Sequence, residues 1–309
     1  MVFMFDSFRS GTWLLGFMLL IAPAAKMVAE DVEFPAVQAF GAFALTETRG
    51  IEPGRWQWRF HVRHANINLT NEDIVATVNM EWTSFTLAGR YGWMDRLTLE
   101  GALRFDYSQN GFLDPVIEGF HSALGLPNGG REFSPVNFLE YHYIGLFRID
   151  GQGAGPFPSA HAAILWTPWR TEAWSLSLRG GMTVHPGKST GYRVAGLLPF
   201  AGIMLHYHAR NWDLAIAGHW RSVKRSDWLR QEPLDGAIYL LDLSLAHKIW
   251  RLGIGLKTSP YGPGRIGRDA RQLYLGCRLN EWLEIGLYEE LFYYTSLADA
   301  GFRLSFYVD

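Results

Sequence analysis

Between Arg96 and Tyr107 the chain alternates strictly, with Leu97, Leu99, Leu103, Phe105 and Tyr107 on one parity and Arg96, Thr98, Glu100, Arg104 and Asp106 on the other. A period of two places these sets on opposite faces of a β-strand. The same pattern recurs at 174–179, 212–217, 250–257 and 302–308. Extended along the chain, it predicts twelve strands, near 57–69, 73–90, 95–107, 159–168, 174–183, 199–209, 212–222, 237–247, 249–258, 271–280, 282–294 and 300–308. In the second of these the alternation slips near Thr83-Ser84, which points to a bulge.

Tight turns at 91–94, 169–173, 210–211, 248 and 281 alternate with longer loops at 108–158, 184–198, 223–236 and 259–270. The connections at 70–72 and 295–299 fall in the long class by order but are short. Short turns on one side, longer loops on the other and an even strand count are the marks of an up-and-down antiparallel transmembrane β-barrel. The loop 108–158 has room for another hairpin, so twelve to fourteen strands are expected. Trp56, Trp93, Trp169, Trp174, Trp212, Trp250 and Trp282 all fall at the short-turn ends, where an indole rests its body in lipid and its N–H among headgroups. Trp82, Trp220 and Trp228 are expected in the opposite girdle or its loops. The closing strand puts Phe302, Leu304, Phe306 and Val308 on one face, the ending read by the outer-membrane assembly machinery, although Asp309 stands in the terminal position usually held by an aromatic.

Composition narrows the reading. The 13 Trp, 13 Tyr and 20 Phe in 309 residues need a very large core or a lipid phase. A net charge of -2 supplies no basic field for nucleic acid. Cys277 is the only cysteine, which excludes an intramolecular disulfide and a multi-cysteine metal site, and nothing in the chain implies a cofactor. Arg9, the apolar run 13–21 and Ala22-Pro23-Ala24 read as a signal peptide over 1–24, cleaved between 24 and 29. An N-terminal periplasmic segment over 25–55 and the barrel over 56–309 follow, with a bacterial outer-membrane location.

The polar parity then faces the lumen. It carries Arg59, His61, Arg63, Glu81, Glu100, Arg104, Asp106, Arg179, His206, His208, Asp213, His219, Arg221, Asp242, Arg251, Lys257, Arg278, Glu284, Glu290 and Arg303. Such side chains either pair across the bore or line a narrow water path with weak anion preference. His208 and Asp213 flank the turn 210–211 and are placed to pair across the hairpin, as a structural pair or as part of an acyl-transfer triad. The chain has no His-x-Ser, the nucleophile arrangement of outer-membrane phospholipases.

Within the long loop a short helix is expected. Asp114 is a good N-cap, Pro115 suits the first position, Gly125 takes the left-handed C′ position and Pro127 stops continuation. Asp114, Glu118 and His121 share or nearly share a face, as candidates for acid-base work or a cation and equally as a cap and solvated groups. Val116, Ile117, Phe120 and Leu124 form an apolar face that would dock on the rim or in the bore as a partial plug. Gly111-Phe112-Leu113-Asp114, Ile117, Phe120-His121 and Gly125-Leu126-Pro127-Asn128-Gly129-Gly130-Arg131 resemble the signature of an uncharacterised outer-membrane family, domain of unknown function 3187. The turn region 90–97, Glu289-Glu290 and Ala298-Asp299 add to the resemblance, while 71–74 departs from it. It implies a barrel in Gram-negative outer membranes and brings no catalytic residues.

Three functions fit these observations. The first is a narrow channel or uptake protein for a small solute, gated by loop 108–158. The second is a lipid- or lipopolysaccharide-modifying enzyme, and the third a structural or adhesive barrel that binds partners through its external loops. Outer-membrane lipid, lipopolysaccharide and the assembly machinery are the expected partners.

Overall fold

The computed structural model describes residues 50–71, 76–109, 111–125, 140–143, 147–150, 154–186, 196–222, 237–257, 270–290 and 300–308. The expected leader, most of the segment 25–55 and motif residues 126–131 lie outside them. In chain order the elements are β1 (Trp56–Asn71), β2 (Ala76–Met94), β3 (Leu97–Gln109), α1 (Asp114–Leu124), β4 (Glu140–Tyr143), β5 (Phe147–Asp150), β6 (Ala154–Arg170) and β7 (Trp174–His185). They continue with β8 (Gly196–Ala209), β9 (Trp212–Ser222), β10 (Ala237–His247), β11 (Trp250–Lys257), β12 (Ala270–Arg278), β13 (Leu283–Glu290) and β14 (Ala300–Val308).

Twelve of these strands form a closed antiparallel barrel. Consecutive strands pair, β3 reaches β6 across the inserted loop, and β1 closes the wall against β14 from Trp58↔Val308 to Asn66↔Ala300. The remaining two, β4 and β5, are a hairpin that pairs with residues Ala76 to Asn79 of β2, past the point where β3 ends. Closure leaves no strand edge along the wall, so every backbone polar group there has a partner without water.

The two faces differ as the alternation demands. Phe60, Phe85, Leu87, Phe105, Ile164, Ile203, Leu243, Leu252 and Leu287 are all exposed on the outer face. The opposite parity holds side chains that reach over an intervening strand: Arg179 of β7 bonds Glu100 of β3, and Arg303 of β14 bonds Tyr274 of β12. Only the concave side lets non-neighbouring strands touch in this way, so the ionic groups are inside. Leu165, Met204 and Ala217 add a small buried apolar cluster to the inner wall.

The seven expected girdle tryptophans stand at the short-turn ends, with Trp93, Trp250 and Trp282 more than half exposed. Trp56 stacks between Trp58 and Tyr91. Arg210 and Lys248 take left-handed φ values of 48° and 54° in the two tightest turns, as two-residue hairpins require. The last described residues before β1 turn back into the barrel mouth, where the Ile51 amide donates to the buried Thr98 hydroxyl at 3.0 Å. The short-turn end of the wall is therefore capped by the chain itself at this point.

Three expectations about β2 need correction. The turn after it is Asp95-Arg96 instead of 91–94, and the register irregularity lies between Gly92 and Met94. Thr83-Ser84 carries no bulge, since pairing with both β1 and β3 runs through it unbroken. Trp82 is no girdle residue. It points inward, is buried, and donates its indole N–H to Asp106 at 3.1 Å.

Candidate functional site: the bore and the docked loop

The bore is built from alternate residues of the twelve strands, and its charges form separate clusters. In the first, Glu100 accepts from Arg90 at 2.9 Å and from Arg179 at 2.6 Å. Arg179 also lies 3.0 Å from His161 and sits over the Phe200 ring, on which His161 stacks. A second cluster joins Arg104 to Asp106 at 2.7 Å, with Ser84 and Trp82 on the same carboxylate. In the third, Glu284 accepts from Arg303 at 2.9 Å and Tyr274 at 2.7 Å, with Arg251 at 3.6 Å. Removing either member of such a buried pair leaves the other uncompensated, which is why these residues come as sets.

Arg59, Arg63, His206, His219, Arg221 and Arg278 also lie on the inner parity. Arg59 and Arg278 place their guanidinium carbons 5.2 and 5.0 Å from the Tyr307 ring. The side chains of Asp242, Lys257 and Glu290 lie outside the described residues. His208 lies 2.6 Å and His206 3.2 Å from the same Asp213 oxygen, at the short-turn end. Ser175 pairs with His206 across β7 and β8, but its buried hydroxyl has no hydrogen-bond partner. This group is a pair of histidines sharing one carboxylate, and among the described residues no hydroxyl is hydrogen-bonded to either imidazole.

Glu81, expected in the lumen, is on the outer parity with Thr83 and Phe85. It is nevertheless buried, as are His64 and Asn66 beside it on β1. The cover is the start of the long loop. The Leu113 amide donates to Glu81, Asn66 donates to Asp114 at 2.7 Å, and Phe112 stacks on His64 with ring centroids 5.2 Å apart. His64 Nε2 lies 2.6 Å from Glu81 and its Nδ1 2.8 Å from Thr83. A Cβ at Gly111 would overlap the Glu81 carboxylate, so the motif needs glycine there. Helix α1 begins at Asp114 and ends before Gly125, whose φ of 68° is the expected left-handed cap.

The loop start thus docks on the outer face of β1 and β2 at the long-loop end of the wall, where β14 begins opposite Asn66 and β3 ends opposite Glu81, and not in the bore. Of the three candidates in the helix, Asp114 accepts from Asn66, and the His121 side chain lies outside the described residues. Ile117 is buried beneath the helix, whereas Phe112 and Val116 are 57% and 60% exposed on its far side. Sequence reasoning missed His64, Asn66 and Thr83 as loop anchors. Their signal is polar residues on the apolar parity of β1 and β2, which in β2 reads as a slip near Thr83-Ser84.

A closed barrel with apolar residues outside and charges inside defines the outer-membrane β-barrel class. Comparison with solved structures agrees on the fold: the COG4313 outer membrane channel from Pseudomonas putida F1 is similar at a TM-score of 0.51 and 12% identity, over 84% of this chain and 96% of that one. Residues 32–145 match the model of a family described as a protein of unknown function, DUF3187, the family that the loop motif resembles. Lower similarities are to the translocator domain of autotransporter NalP from Neisseria meningitidis (TM-score 0.43, 10% identity, 88% and 92% covered) and to outer membrane phospholipase A from Escherichia coli (0.41, 12%, 81% and 91%). No curated protein matches the chain.

Proposed function

We propose that the protein is a narrow channel of the bacterial outer membrane that admits a small solute. The observation that supports this is the polarity of the closed wall: large apolar side chains face out, while Arg90, Glu100, Arg179, Glu284 and Arg303 face a common interior. Ionic groups inside a cylinder favour water there and disfavour a dry apolar core. The channel reading also agrees with the fold shared with an outer membrane channel, a likeness that by itself concerns the fold. Outer-leaflet lipid and lipopolysaccharide are the proposed surroundings of the outer wall.

The described part of loop 108–158 contributes by covering polar groups of β1 and β2 from outside, without entering the bore. Gating by plugging does not belong to residues Gly111 to Gly125. The test is single-channel recording of the purified protein in planar bilayers, together with membrane fractionation. Discrete conductance steps and recovery in the outer membrane are expected; a silent protein, with or without the loop, rejects the reading.

A further inference from the structure

We infer that the bore selects anions, so that the solute class is a small acid. This rests on the channel reading above. By backbone register, the inner parity of the described barrel strands carries nine arginines and Lys257 against six carboxylates, Glu100, Asp106, Asp213, Asp242, Glu284 and Glu290. The carboxylates whose side chains are described are engaged by positively charged or imidazole partners: Glu100 by Arg90 and Arg179, Asp106 by Arg104, Glu284 by Arg303 and Arg251. Asp213 is held by His206 and His208. A cation entering the bore therefore meets a wall on which basic groups outnumber carboxylates.

Arginines also face one another across the strands of the wall. Arg63 stands directly opposite Arg303 in the β1–β14 pair, and like charges in that relation destabilise a sheet. Arg59 and Arg278 converge on the ring of Tyr307. Low-dielectric walls lined by one sign of charge focus its field along the axis and raise the local concentration of the opposite ion. Arginine-lined constrictions select anions by this means.

The experiment is the reversal potential of the full-length protein in planar bilayers under a KCl gradient, then with potassium acetate in place of KCl to separate inorganic from organic anions. Chloride is expected to permeate at least about threefold better than potassium, with acetate also preferred over potassium. Arg63→Gln and Arg221→Gln, on β1 and β9, should each lower that ratio by about twofold. Heat-modifiable migration verifies folding, and having two separate sites keeps the test intact if one variant misfolds. Preference for potassium, or a ratio that neither variant changes, overturns anion selection and leaves the channel standing. Preference for chloride without acetate confines the class to inorganic anions and overturns the organic acid. Absence of any conductance overturns the channel reading and this inference with it.

Discussion

The side-chain amide of Asn66 lies 2.7 Å from the Asp114 carboxylate, tying the first residue of the loop helix to the outer face of the first barrel strand. Both groups are buried, so each satisfies a polar atom that would otherwise face lipid. Replacing Asp114 by Ala removes the acceptor for Asn66 and a favourable negative charge from the first turn of the helix. The expected cost is about 1–3 kcal/mol, confined to the loop. Limited proteolysis should show faster cleavage within 108–158 in D114A while the barrel keeps its heat-modifiable migration. Equal cleavage rates would mean that this contact does not hold the loop.

Gly111 makes a sharper version of the same test. Any Cβ there collides with the Glu81 carboxylate, so Gly111→Ala must push the loop from the wall or displace Glu81 from His64 and Leu113. A loss of about 1–3 kcal/mol is expected, comparable to other buried unsatisfied charges. Chemical denaturation in detergent micelles would reveal it as a lower midpoint. Glu81→Gln in the same background should restore part of the loss, because a neutral amide is cheaper to leave underbonded.

The exposed side of the docked loop predicts a lipid contact. His64 lies eight residues above Trp56 in β1, roughly 20 Å along the axis at ordinary strand tilt, still inside the apolar band of a typical barrel. Phe112 stacks on it, and Val116 follows one helical turn later. With Cys277 replaced by Ser, a bimane label on Val116→Cys should be quenched by nitroxide lipids carrying the label at a shallow acyl position. A label insensitive to lipid nitroxides but quenched by aqueous iodide would place the helix in water.

Most of the wall was legible in the sequence because a half-buried strand records its two faces at a period of two. β7, β9, β10, β11 and β14 lie within a few residues of the expected ranges, and the helix ends fall at Asp114 and Gly125 as their capping chemistry requires. The clearest failure has one cause. Trp82 inside and Glu81 outside invert the usual polarity, and from sequence an inversion looks like a bulge. The inversion is real because a segment thirty residues downstream covers the outer face, and such tertiary cover leaves no mark on local periodicity. The pairing of Arg179 with Glu100 was illegible for the same reason, since strand order and curvature bring them together.

The tight turns offer a stabilising change. Lys248 holds a φ of 54° without the freedom of glycine, a conformation that strains most side chains. Lys248→Asn should stabilise the hairpin between β10 and β11 by about 0.5–1 kcal/mol, since asparagine tolerates this region better. Thermal unfolding followed by loss of heat-modifiable migration would register a higher midpoint. No change would indicate that the turn relaxes to a negative φ in the membrane.

The cluster around Glu100 makes the strongest demand on the interior. Its two oxygens serve Arg90 at 2.9 Å and Arg179 at 2.6 Å, and all three side chains are less than 15% exposed. Glu100→Gln keeps the shape but strips the charge, leaving two guanidinium groups facing each other near the short-turn half of the bore. Breaking a buried pair from one side costs about 3–5 kcal/mol, so the variant should unfold at markedly lower denaturant. If the bore is filled with water at this depth, solvent and mobile anions screen the two arginines, and the loss shrinks to about 1 kcal/mol or less. The size of the loss therefore reports hydration. A small loss that grows as salt is withdrawn indicates an open aqueous path past Glu100, whereas a large salt-independent loss indicates a closed one. Restoring the charge balance with Arg90→Gln in the same chain should recover stability only in the closed case.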